Sequence, residues 1–211
     1  IGEKALAVRF GNGQHDEHSF PADYFPFAYG DQKDPHTGQE DGILRKCIAS
    51  KTTPLVFHTQ SSSEYWHRSG SLVHTDPLGK EDADLPADVR IYSFGGTQHG
   101  SGGGTPGVKG NGQLPSSPAD YRPLMRALVV AMHEALATGK SPPPSVYPLL
   151  RKGTLTNWPA KESGWPGIPG VNYPQVIQQP ALLDRGPLWE KERIATLEPP
   201  VAKAMYEVRV P

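Results

Sequence analysis

One stretch near the middle of the chain constrains the fold most strongly, because it alternates strand and helix patterns. Residues 53–60, TPLVFHTQ, form a short apolar run after a proline, as buried strands do. Residues 61–74 open with serines that can cap a helix and continue with helical periodicity. Residues 89–96, VRIYSFGG, return to a strand pattern. This order predicts a βαβ unit with two parallel strands.

A further helix pattern follows at residues 120–138. Its apolar residues cover most of the circumference, so we expect a helix buried against a sheet. The 23 glycines and 23 prolines predict long irregular connections, because they concentrate in 100–118, 139–148 and 158–174. Together these patterns predict an α/β fold: part of a mostly parallel sheet flanked by helices, with long Pro/Gly-rich loops.

The length of 211 residues suits one domain with a sizeable core. We expect entrance loops and a short helix at 1–50, a βαβα core at 51–140 and a Pro-rich C-terminal extension at 141–211. Within the extension, the sequence predicts a hairpin around 147–158 and a last strand at 205–210.

Composition excludes several classes of function. With 21 basic and 22 acidic residues, the chain has no basic stripe that would favour nucleic acid or an anionic membrane surface. No apolar run approaches the ~20 residues that a membrane span needs. The single cysteine, Cys47, rules out an internal disulfide framework. We expect it to be a buried thiol in a short helix at 42–50, with Ile43 and Leu44 also facing inward, and we expect no cofactor.

Two ionisable residues follow the two predicted parallel strands. Glu64 comes four residues after the first strand, and His99 lies in the glycine-rich loop after the second. Because the carboxyl ends of neighbouring parallel strands meet at one sheet edge, we expect these side chains to lie within hydrogen-bonding distance. Asp76 is the alternative acid partner of His99, but it is less well placed because it follows the helix rather than the strand.

A carboxylate beside a histidine is typical of acid–base catalysis. The carboxylate fixes the imidazole tautomer and stabilises the imidazolium, so the other ring nitrogen of His99 can accept a proton from a nucleophile. Each residue also has a plain interpretation. A histidine in a glycine-rich loop can simply be a surface residue, and Glu64 in the first turn of a helix is favoured by the helix dipole.

Several segments resemble a group of large bacterial proteins, the alpha/beta hydrolase domain family. The combination of SSSEYW with GTQHG carries most of this resemblance, which extends over residues 16–29, 58–100, 120–155, 166–174 and 197–201. It implies an esterase-type serine hydrolase acting on a small-molecule ester. In that interpretation His99 is the general base, Glu64 is the acid, and the substrate pocket is lined by Tyr24, Phe25, Tyr65, Trp66 and Gln98.

The chain departs from this family in one respect. An α/β-hydrolase nucleophile sits on a strand–Ser–helix turn, usually G-x-S-x-G, and the 211 residues contain no such turn. We therefore expect the chain to be the C-terminal part of a longer protein, whose N-terminal part supplies the serine and the oxyanion hole.

Two other interpretations stay open. The aromatic residues could line the pocket of a non-catalytic binding module. The run HDEH at residues 15–18 offers four metal-capable side chains, but alternating neighbours cannot all face one ion. A polar loop is the favoured interpretation of that run, so no metal ligand is assigned.

Overall fold

A computed structural model describes residues 25–105, 107–109 and 114–211 of the chain. The predictions for residues 1–24, which include the HDEH run and Tyr24, lie outside the described residues. The described part is a mixed α/β structure with small sheets. Its elements are β1 (Gln32–Lys33), β2 (Glu40–Asp41), α1 (Arg45–Ala49), β3 (Val56–Ser61), α2 (Ser62–His67), a 3₁₀ turn (Gly70–Val73), β4 (Val89–Phe94), α3 (Arg122–Thr138), a second 3₁₀ turn (Leu150–Lys152), α4 (Ala160–Ser163), β5 (Ala181–Asp184), α5 (Trp189–Glu192) and β6 (Val201–Met205).

The predicted parallel pair is confirmed. Strands β3 and β4 pair in parallel, in register from Val56 opposite Val89 to Ser61 opposite Phe94. Val146 extends this sheet on the far side of β4, where it forms a parallel bridge with Tyr92. The β1–β2 and β5–β6 pairs are antiparallel. Both β3 and β4 therefore direct their carboxyl ends to the same edge, where the loops that follow them can meet.

Two apolar clusters hold the described part together. The first consists of Leu44 together with Val89 and Ile91 of β4. The second joins Leu72, which follows α2, to the end of the chain at Tyr206, Val208 and Val210, with Ile177 beside them. The C-terminal residues therefore close a core that begins more than a hundred residues earlier.

The helix predicted over 61–74 is interrupted. It ends at His67, and Ser69 takes a left-handed conformation with φ 54° before the 3₁₀ turn begins at Gly70. The Ser69 hydroxyl donates a hydrogen bond to the Gln178 carbonyl at 3.0 Å. A side chain at Gly70 would place its Cβ 2.7 Å from the Gln60 amide oxygen and 3.1 Å from the Glu64 carbonyl group, so a larger residue would force these neighbours to shift. These tertiary contacts favour the break over a continuous helix.

The helix at 122–138 is confirmed, but its predicted burial is wrong. No residue of α3 is buried in the described part of the chain, and Val129 and Leu136 are 67% and 71% exposed. The physical reason is the narrowness of the sheet, because a two-stranded pair offers too little area to cover a helix of 17 residues. In the short helix, Leu44 faces inward as expected, whereas Ile43 is exposed and Cys47 is a half-buried free thiol.

The C-terminal extension differs from its prediction as well. Residues 147–158 do not form a hairpin, because Thr154 closes a tight turn on Leu149 and Thr156 pairs instead with the distant Val210. The last strand is β6, and the residues after it pack into the core as extended chain. Within the described residues, none of the helices has the length and apolarity that a membrane crossing requires.

Candidate functional site

The predicted contact between Glu64 and His99 is confirmed. Glu64 lies in the first turn of α2, directly after β3, and His99 lies five residues after the end of β4. His99 Nδ1 is 2.6 Å from Glu64 Oε1. The two side chains, 35 positions apart in the chain, therefore form a hydrogen-bonded pair at the carboxyl edge of two parallel strands.

Ser61 positions the carboxylate of this pair. Ser61 is the N-cap of α2, and Glu64 is the third residue of that helix, so the two form a capping box. The Ser61 backbone N–H donates to Glu64 Oε2 at 2.5 Å, and the Ser61 hydroxyl donates to the same oxygen. Oε2 is thereby held by the helix terminus, which leaves Oε1 for His99.

The environment of Glu64 favours its ionised form. Burial alone would raise the pKa of Glu64, but the hydrogen bonds from Ser61 and His99 outweigh it and hold that pKa below its usual range. An ionised carboxylate only accepts hydrogen bonds, so Nδ1 of His99 must carry the proton. In the neutral imidazole, Nε2 therefore has a free lone pair. The His99 side chain is 63% exposed.

The loop that carries His99 is held by contacts to the start of α2 and to Tyr121, the residue before α3. The Tyr121 hydroxyl donates to the His99 carbonyl at 2.5 Å, and its ring stacks on Phe94 with centroids 5.3 Å apart. The Gly96 N–H donates to the Ser62 hydroxyl at 2.8 Å, which links the end of β4 to the start of α2. The glycine-rich loop is thus fixed at both sides of the histidine.

Sequence reasoning treated the serines at the start of 61–74 only as helix caps, so it missed the contact of Ser61 with the Glu64 carboxylate, and it missed Tyr121 altogether. The spacing S-x-x-E at residues 61–64 is a local signal for a capping box and could have identified Ser61. Tyr121 has no such signal, because it reaches His99 from 22 positions away across the glycine-rich segment.

Two adjoining cavities lie beside the pair. One, of about 400 Å³, is lined by Ser63, His67 and Gln98 together with Glu64 and His99. The other, of about 390 Å³, is lined by apolar and polar groups that include Trp66, Gln98, Pro174 and Val176. The Gln98 amide oxygen accepts a hydrogen bond from the Ser117 N–H at 3.1 Å. Trp66 and Gln98 are therefore placed where the pocket was predicted.

Three other predicted site residues are placed elsewhere. Tyr65 is fully buried, and its hydroxyl hydrogen-bonds to His74 Nε2 at 2.9 Å, because the inner face of α2 packs on the core. Phe25 packs edge-on against Phe27 and lines a separate cavity near β5. Asp76 caps its own turn by accepting hydrogen bonds from three backbone N–H groups, those of Leu78, Lys80 and Glu81. It is therefore not the acid partner of His99.

No group of three or more potential metal ligands occurs in the part of the chain that the structure describes. The alternative metal site at residues 15–18 lies outside that part.

Replacing Ser61 with alanine should raise the pKa of Glu64 and destabilise the protein by about 1 kcal/mol, because the cap and one hydrogen bond to Oε2 are lost. Carboxyl ¹³C NMR titration and urea unfolding measure the two effects. Ser63→Ala is the matched control, because the Ser63 hydroxyl contacts Ser61 and not the carboxylate. An unchanged Glu64 titration in Ser61→Ala would show that Ser61 does not position the acid.

Neither a protein-family model, nor a curated protein, nor a solved structure matches this chain.

Proposed function

We propose that this chain supplies the acid and the base of a carboxylesterase-type serine hydrolase. The observation that carries the proposal is the 2.6 Å hydrogen bond between His99 Nδ1 and Glu64 Oε1 at the carboxyl edge of two parallel strands. The acid precedes the histidine in the chain, which is the order found in α/β-hydrolases.

In the proposed mechanism, His99 Nε2 accepts the proton of a serine hydroxyl as that oxygen attacks the ester carbonyl. The imidazolium then gives the proton to the leaving alkoxide, and an acyl-enzyme remains. Glu64 stabilises the imidazolium and keeps the ring oriented through Nδ1. Water hydrolyses the acyl-enzyme by the same proton transfers, which releases a carboxylic acid and restores the serine.

The serine comes from residues outside this sequence, since no G-x-S-x-G turn occurs in the 211 residues. The exposure of the His99 side chain supports this proposal, because a nucleophile from another part of the protein can approach an exposed ring. The N-terminal part of the same protein is the proposed partner, and it also supplies the oxyanion hole.

The proposal also includes a specific fold, that of an α/β-hydrolase. Strands β3 and β4 would be neighbouring strands of a larger, mostly parallel α/β-hydrolase sheet, as the family resemblance implies. The exposed apolar side chains of α3, Val129 and Leu136 among them, support it, because a helix of this character normally covers a sheet.

The two cavities support a small carboxylic ester as the substrate class. A small carboxylic ester would place its carbonyl at His99 and an apolar group against Trp66 and Val176. Gln98 lines both cavities and lies between the two groups of the ester.

A fluorophosphonate probe tests this proposal, because it labels activated serines covalently. We expect the full-length protein to be labelled, His99→Ala to lose the labelling, and the 211-residue chain alone to remain unlabelled. His133→Ala, which removes an exposed histidine of α3, is the matched control and should be labelled like wild type. A full-length protein that resists the probe would overturn the hydrolase and favour a non-catalytic binding module.

A further inference from the structure

A third cavity lies against the β5–β6 pair, and it shares no lining residue with the two cavities beside His99. Its volume is about 640 Å³. Its apolar and aromatic walls include Phe25, Leu182, Trp189, Leu197 and Tyr206. We refer to it as the β5–β6 pocket. A pocket of this size that combines apolar walls with polar and charged side chains can hold a small molecule.

Arg185 lines the β5–β6 pocket and carries a donor without a partner in the described residues. Its Nε is buried and has no hydrogen-bond partner among the residues that the structure describes. Its guanidinium carbon lies 4.8 Å from the centre of the Trp189 ring, so the aromatic face holds the group in place. A buried N–H of a charged group is costly when it is unpaired, and a bound acceptor removes that cost.

The acidic residues around the pocket already have donors. The Asp184 carboxylate pairs with Lys203 Nζ at 2.9 Å, and Glu190 pairs with Arg193 at 3.6 Å on the exposed side of α5. These pairs neutralise most of the charge around the rim.

Asp34 lies deeper, and it is satisfied within the protein. Its carboxylate accepts hydrogen bonds from the His36 N–H at 3.0 Å, the Thr37 hydroxyl at 2.5 Å and the Tyr206 hydroxyl at 3.1 Å. Among the charged side chains that line the described cavity, Arg185 is therefore the one whose buried donor still needs an acceptor.

We infer that the β5–β6 pocket binds a small organic acid with an apolar body. The carboxylate of the ligand pairs with the guanidinium of Arg185, and the apolar body packs against Trp189 and Leu197. A carboxylate matches a guanidinium in both charge and geometry, and the bond is charge-assisted. This site does not depend on the hydrolase proposal, because it uses none of the residues near His99.

Calorimetric titration of the chain with octanoate and with 1-octanol tests this inference. The two probes share an apolar chain and differ in the carboxylate. We expect octanoate to bind, and Arg185→Gln to weaken its affinity by roughly 10-fold or more, with little effect on 1-octanol. Arg126→Gln, which removes an exposed arginine of α3, is the matched control and should leave both affinities unchanged.

Leu197→Trp provides an independent test, because it fills the pocket without changing its charge. We expect it to weaken both probes. Octanoate that fails to bind the wild-type chain at millimolar concentration would overturn the inference, and so would equal octanoate affinity in wild type and Arg185→Gln. If Arg185→Gln does not fold, unchanged octanoate binding by Leu197→Trp would overturn it.

Discussion

Replacing His99 with alanine should lower the ester turnover of the full-length protein by roughly 10⁴-fold or more, because the variant loses the proposed acceptor of the serine proton. The stability of the protein should change little, because the His99 side chain is largely exposed. Initial rates with short-chain aryl esters and a urea unfolding curve measure the two quantities. His133→Ala should retain wild-type turnover, since that histidine lies on the exposed surface of α3.

Glu64 and His99 should act as a unit in this assay. Glu64→Gln removes the charge that stabilises the imidazolium, so we expect a large loss of turnover that does not exceed the loss in His99→Ala. The double variant should be no slower than His99→Ala alone, because residues of one catalytic unit are not additive. Wild-type turnover in His99→Ala would refute the hydrolase proposal. A loss in the double variant equal to the product of the two single losses would show that Glu64 and His99 act independently.

Acid should destabilise the folded chain well before its carboxylates are protonated. His74 is fully buried, its Nε2 contacts the Tyr65 hydroxyl, and its Nδ1 has no hydrogen-bond partner in the described structure. Burial lowers the pKa of His74 from its ordinary 6.5 to about 4. The folded state thus holds this histidine neutral, while the unfolded state binds a proton near pH 6.5.

The direction in which stability changes with pH follows from the number of protons that each state binds. Below about pH 6.5 the unfolded chain binds more protons than the folded chain, so stability falls as the pH falls and levels off below about pH 4. The difference in pKa corresponds to a loss of about 3 kcal/mol in the free energy of unfolding. His58 acts in the same direction, because burial also lowers its pKa, although the charge of Glu64 partly opposes that shift.

Urea unfolding between pH 7 and pH 4 measures this effect. His74→Gln cannot be protonated, so its stability should decline less steeply over that range than that of the wild type. His133→Gln is the matched control, because an exposed histidine should leave the slope unchanged. Parallel pH curves for His74→Gln and the wild type would contradict the assignment.

The candidate site could be predicted because its geometry depends on local signals. Strand and helix periodicity placed β3, α2 and β4. The connection over residues 62–88 contains a helix and is too long for a hairpin, and such a crossover allows the two strands to pair in parallel. The contact between Glu64 and His99 then follows from the common sheet edge, although the two residues are far apart in sequence. The role of Ser61 is also encoded locally, because a capping box needs only four consecutive residues.

Burial, in contrast, was decided by the tertiary structure. Tyr65 and Trp66 are neighbours on α2, yet Tyr65 reaches His74 in the core while Trp66 lines the cavity beside the pair. The break at Ser69 depends on Gln178, and the apolar residues of α3 are exposed because no wide sheet covers them in the described part. Periodicity reports which side of an element is apolar, and this depends on adjacent residues alone. Which surface covers that side depends on segments a hundred residues away, and no local pattern encodes their position.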